Sequence, residues 1–245
     1  SDDIEKSIIL AIKNDISIYC THTNFDKVNQ GVSYKICEKI GLKNLKILSP
    51  EKNILEKIAV FVPLSHADIV RNSMFEAGAG HIGNYDNCSY NLQGEGSFRA
   101  KDNSNPFVGK IGETHFEKEV RIESIYPKYL RNKILQAIFR THPYEEVAYD
   151  IYKLENPHNN VGLGMIGELE QEISETDFLK LLKEKFNSKV IRHSEFLNKK
   201  IKKVAVCGGS GAFLINAAKS SKADVFVSGD IKFHDYFLAE KQILI

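Results

Sequence analysis

The chain has 245 residues, 42% hydrophobic and 27% charged, which reads as a soluble globular protein of one large domain or two ordinary ones. Its 33 basic and 32 acidic side chains leave a formal charge of +1, without the basic excess of a nucleic-acid binder. No apolar run is long enough to span a bilayer, the acidic start does not read as a signal peptide, and Cys20, Cys37, Cys88 and Cys207 form no Cys-x-x-Cys pair, so they read as reduced thiols in the cytoplasm.

Ile4, Ile8, Ala11 and Ile12 recur at helical spacing. The β-branched and aromatic run Ile16–Cys20 reads as a strand, with Cys20 at its end as a buried small hydrophobe. Tyr34–Ile40 reads as a helix stopped by Gly41, and Leu45–Leu48 as a short strand. Ile58–Val62 is a strand ending at Pro63. Ser65 then caps a helix through Glu76, which turns Ile69, Val70, Met74 and Phe75 inward. Strand-like pieces follow at His81–Ile82 and Cys88–Leu92. Glu119–Ile125 alternates with Val120, Ile122 and either Ser124 or Ile125 inward. Lys128–Arg140 is an amphipathic helix stopped by Thr141-His142-Pro143, and Val147–Leu154 is a strand. The order β-α-β-β-α-β is that of a ferredoxin-like unit.

Beyond it, Ser174 caps a helix carrying Phe178, Leu181, Leu182 and Phe186. Val204–Cys207 is a strand, Gly208-Gly209-Ser210-Gly211 a tight turn, and Ala212–Lys219 a helix. Asp224–Val227 is the next strand, and Gly229-Asp230 opens a loop before a helix with His234 and Asp235. The fold class is therefore α/β. A discontinuous α/β core (1–52 and 159–245) carries an inserted ferredoxin-like (βαββαβ) domain at 53–158.

Three strand ends in the core carry polar loops: His22 with Asp26, then Gly208–Gly211, then Asp230, His234 and Asp235. Parallel strands would bring them to one edge, where α/β sheets bind ligands. An imidazole and a carboxylate can hold a divalent metal or move a proton. Each residue also has a plainer reading. Asp26 can shape a turn, Asp235 can favour a helix start, and both His22 and His234 can be solvated. The backbone N–H groups of Gly208, Ser210 and Gly211 can hold an anion, or only close a turn, since no Walker lysine accompanies them. His142 is explained by a helix stop without a metal.

Thr21-His22-Thr23-Asn24-Phe25-Asp26, followed by Gly31-Val32, resembles the HTNLD…GGVN segment of the Nif-three-like family, whose members are also labelled GTP cyclohydrolase I type 2 homologues. Ser228–Asp235 resembles the same family's TGDIKYHD segment. Gly78–Tyr85 and His142–Glu146 resemble the CutA- or PII-like insertion of its long-form members. The resemblance covers essentially the whole chain. It implies a cytoplasmic, metal-binding homohexamer with two divalent ions (Zn, Fe or Mn), and trimer contacts through the insertion. Of the family's ligand motifs only the middle one occurs in these residues, so Asp26 is the metal ligand carried over. His22 and His234 fall to proton transfer at the rim, and Asp230, Asp235, Gly208, Ser210 and Gly211 to support or anion binding. The reaction implied is metal-assisted hydrolysis of a nucleotide-like or other small substrate. The alternative is a non-enzymatic scaffold or small-ligand sensor that works through the insertion. Neither reading needs a membrane or a nucleic acid.

Overall fold

The computed structural model describes residues 2–245. In chain order the elements are α1 (Asp3–Lys13), α2 (Thr23–Lys27), α3 (Val32–Ile40), β1 (Lys43–Glu51), β2 (Leu55–Pro63), α4 (Ala67–Glu76), β3 (Tyr90–Arg99) and β4 (Thr114–Pro127). They continue with α5 (Arg131–Thr141), β5 (Tyr149–Leu154), β6 (His158–Ser174), α6 (Glu175–Phe186), β7 (Lys200–Ser210), α7 (Ile215–Ser220) and β8 (Val225–Asp230). The chain divides into two compact units. One is the described part through Ser49 together with Asn160–Ile245; the other is Pro50–Asn159.

The Pro50–Asn159 unit is a four-stranded antiparallel sheet in the order β3-β4-β2-β5. With α4 and α5 as the two crossovers, that is the ferredoxin-like arrangement. Period-two alternation builds it. Val120, Ile122, Ser124 and Tyr126 of β4 face inward, so Ser124 and not Ile125 takes the inner place. Ser124 tolerates burial because its hydroxyl donates to the Cys88 carbonyl at 2.9 Å. Ile58, Val60 and Val62 of β2 meet Val70 and Met74 of α4 and Ile134 and Ile138 of α5. Each fully buried aliphatic side chain contributes roughly 1.5–3 kcal/mol. Glu56 is buried among them and accepts from Tyr126 Oη at 3.1 Å and Arg131 Nε at 2.8 Å, which holds its carboxyl below the usual range.

In the other unit the sheet runs β1-β6-β7-β8 and is covered on both faces. One face packs Cys37 and Ile40 of α3 and Phe178 and Leu182 of α6. The opposite face packs Leu214, Ile215 and Ala218, with Ile243 and Ile245. The expected caps hold here. Ser174 Oγ accepts from Asp177 N–H at 3.1 Å, and Gly41 ends α3 at a φ of 91°. Leu244 bridges Val225 in parallel, so the segment after the last helical turn runs along β8.

Several expectations fail for definable reasons. Ile16–Cys20 is not a strand: it pairs with no strand among the described residues, and Ile18 and Tyr19 are 75% and 87% exposed. An apolar run becomes a strand only against a free edge. Cys20 is consequently exposed. Helix α1 forms, capped by Asp2, yet buries none of its residues. Ser65 does not cap α4; it lies in a 3₁₀ turn (Leu64–His66), its hydroxyl is bonded to His66 Nδ1, and Ile69 points outward. His81–Ile82 reduces to an isolated bridge between Ile82 and Tyr85.

At the other end of the chain, β7 extends through Gly208, Gly209 and Ser210, so the expected tight turn there is strand. The expected Ala212–Lys219 helix does form, as a 3₁₀ turn (Ala212–Leu214) running directly into the short α7. Asp230 ends β8 instead of opening a loop, and His234 and Asp235 lie on a 3₁₀ helix (Phe233–Ala239). Strand β6 has no counterpart in the sequence reading. Its centre, Gly164–Gly167, is buried on both faces and shows no alternation. Glycine is needed at 167, where a Cβ would stand 2.6 Å from Leu45 and 2.9 Å from the Lys43 carbonyl. Among the described residues no helix is long and apolar enough to cross a membrane.

Candidate functional site

The sheet of the Asn160–Ile245 unit is mixed. Strand β6 runs antiparallel to β7, and β7 and β8 are parallel, joined through α7. The edge where chemistry is expected is thus the carboxyl end of that parallel pair. Cys207 stands opposite Ser228 there, and Ser210 opposite Asp230. Ser228 Oγ donates to the Gly209 carbonyl at 2.9 Å. Gly211 must be glycine, because a Cβ would fall 2.6 Å from Cys207 Cβ and 2.8 Å from Ser228 Oγ.

Residues Thr21–Gly31 reach this edge without a preceding strand. Val28 bridges Val161 at the start of β6. Gly31 N–H donates to the Val28 carbonyl at 2.9 Å, and the Phe25 carbonyl lies so close to Gly31 that a Cβ would collide with it. The chain then enters α3, where Ser33 Oγ accepts from Gly208 N–H at 3.2 Å. Together these contacts bring Asp26 beside Cys207. Burial, and after it the Asp26 charge, pushes the Cys207 thiol up to about 11. Cys207 is therefore a protonated thiol at neutral pH and not a nucleophile.

The structure gathers Asp26, Cys207, Ser210, Ser228 and Asp230 on connected elements. The two histidines are different. His22 adopts a φ of 39°, rare outside glycine, with Nδ1 2.8 Å from Thr23 Oγ1. His234 is largely exposed, with Nε2 3.6 Å from Asp235 Oδ1. Asp235 accepts from Lys232 N–H at 3.0 Å and so closes the start of its 3₁₀ helix, which is the plainer of the two roles open to it. Gly208 N–H is already taken by Ser33, which leaves Ser210 and Gly211 less help in holding an anion. Among the described residues no three His, Cys, Asp or Glu side chains are placed to hold a metal ion. This donor set does not fit a metal centre by itself.

His142 is a satisfied core histidine. It is buried, its Nδ1 accepts from Tyr144 N–H at 3.1 Å, and its Nε2 donates to the Phe61 carbonyl at 2.9 Å. Burial holds it below the usual histidine value of 6.5. The sequence reading missed the carboxylate–tyrosine pair Glu119 and Tyr144, which meet at 3.0 Å. The one signal for it is the His142–Glu146 motif, which carries no hint of a partner for Tyr144.

A family profile described as Duf34/NIF3 (NGG1p interacting factor 3) matches residues 1–245. The chain is 42% identical over 225 residues to a GTP cyclohydrolase 1 type 2 homolog of Halalkalibacterium halodurans, covering 91% of this chain and 60% of that protein. It is 40% identical to the similarly named protein of Bacillus subtilis, again over 91% of this chain and 60% of the relative. It thus spans about 60% of the length of these relatives. A crystal structure of a Bacillus cereus protein related to NIF3 superposes with a TM-score of 0.84 at 40% identity, covering 98% of this chain and 64% of that one. On sequence and on fold alike, the chain belongs to the Duf34/NIF3 family.

Proposed function

We propose that the full-length protein is a metal-dependent hydrolase of a small, nucleotide-like substrate. In this reading Asp26 supplies one carboxylate to a centre of two divalent ions (Zn, Fe or Mn), which needs more ligands than the described residues gather at this edge. The observation that carries it is the anchoring of the Asp26 segment, through Val28–Val161 and Ser33–Gly208, at the carboxyl end of the parallel β7–β8 pair. Ligands gather at that edge in open α/β sheets. The relatives' description as GTP cyclohydrolase 1 type 2 homologs supports a nucleotide-class substrate.

His22 and His234 are exposed imidazoles, each beside a polar partner, and are the groups able to hold or move a proton at the rim. Asp230 and Ser210, paired across β7 and β8, offer an acceptor and a donor to a polar substrate. The working form in this reading is a cytoplasmic homohexamer, with trimer contacts through the Pro50–Asn159 unit.

The test is turnover of a nucleotide panel, GTP first, by the full-length protein with and without added Zn, Fe or Mn. Asp26→Ala is expected to lower metal-dependent turnover by more than about tenfold. Unchanged turnover in that variant would remove Asp26 from the mechanism.

A further inference from the structure

The Pro50–Asn159 unit contains a cavity of about 480 Å³, within the usual size range of small-ligand sites. Its walls are aromatic: Phe61, Phe98, Phe107 and Tyr144 line it. The Tyr144 ring lies 6.0 Å from Phe98 and 6.3 Å from Phe107. Glu119 lines the same cavity, and Tyr144 Oη donates to its Oε1 at 3.0 Å.

Three features build this pair into the fold. A Cβ on Gly96 would stand 2.3 Å from Glu119 Oε2, so glycine there leaves the space the carboxylate fills. His142 receives Tyr144 N–H at Nδ1 and meets its ring edge-on at 5.0 Å. Asn105 N–H donates to Glu145 Oε1 at 2.8 Å, which ties the Phe107 loop to the segment after Tyr144. Burial pushes the Tyr144 hydroxyl up, so it remains a donor to Glu119.

From this geometry we infer that the cavity is a binding site for a small organic ammonium. Aromatic faces carry negative potential and attract cations, and a carboxylate set among them supplies the counter-charge. Arg121 already lies over the Phe61 ring at 5.8 Å, so the surface left to a ligand is that of Phe98, Phe107 and Tyr144. The lining holds three carboxylates, Glu119, Glu145 and Glu146, against Arg99 and Lys101, which disfavours an anion. A purely apolar ligand would cover the Glu119 carboxylate without adding a partner to its bond from Tyr144, a costly arrangement for a carboxylate. None of its lining residues belongs to the Asp26 segment or to the β7–β8 edge.

The experiment is calorimetric titration of the 245-residue chain with choline and with its uncharged isostere, 3,3-dimethylbutan-1-ol. Choline is expected to bind at least about tenfold more tightly than the isostere. Glu119→Gln should remove about tenfold of choline affinity and leave the isostere unaffected. Tyr144→Leu, which keeps bulk at the wall but removes the aromatic face, serves as the second variant, and should weaken choline by about tenfold. Equal affinity for the two compounds, absence of choline binding, or full choline affinity in both variants would overturn the assignment.

Discussion

The two units of this chain close their cores differently. Pro50–Asn159 is contiguous in sequence, and its sheet has a single helix-covered face with one hydrophobic cluster. The unit formed from the two ends of the chain buries both faces of its sheet. It nevertheless leaves α1 and Ile16–Cys20 in solvent. An apolar pattern is thus necessary for a buried element and not sufficient, because an edge or face must also be available to receive it.

The largest test of this contrast is a cavity mutation in each core. Ile122→Ala should cost about 2–5 kcal/mol, with hydrogen-exchange protection lost in Pro50–Asn159. Ile201→Ala should do the same in the other unit. Equal loss in both units from either mutation would make them one cooperative body and end the comparison.

A smaller effect concerns pH. His142 is held neutral when folded, below its ordinary 6.5, so the unfolded chain takes up a proton first as pH falls. Its contribution is complete above about pH 6.5 and is lost as pH falls toward the folded value. Thermal denaturation should show acid destabilisation of Pro50–Asn159 over that window, and His142→Asn should flatten it. A wild-type profile unchanged by the substitution would mean that other groups carry the acid sensitivity. Smallest is Ile8→Ser on exposed α1, which should change the stability of the 245-residue chain by less than about 0.5 kcal/mol. A larger loss would show that α1 is packed and sharpen the contrast out of existence.

What could be read from the sequence follows the same division. The stripe of α5 and the Gly41 stop are local signals that place their elements to within a few residues, and the alternation of Glu119–Ile125 finds the buried half of β4, which starts earlier, at Thr114. Strand β6 was illegible because Gly164 to Gly167 is covered on both sides and shows no period. Ile16–Cys20 has the pattern of a strand, and nothing local shows that a partner strand is missing. At the candidate site, His22, Asp26 and Asp230 stand out as polar residues in strand-like context. The approach of Asp26 to Cys207 depends on the Val28–Val161 bridge and the Ser33–Gly208 bond, which no local pattern encodes. The Glu119–Tyr144 pair is set by the β3–β4 register and by the turn after α5, and is equally invisible from the sequence.

The most direct test of the functional account is metal analysis of the full-length protein beside its Asp26→Ala variant, with circular dichroism confirming that both are folded. The account predicts about two divalent ions per chain in the wild type and a clear loss in the variant. A variant that retains the full metal content would contradict it.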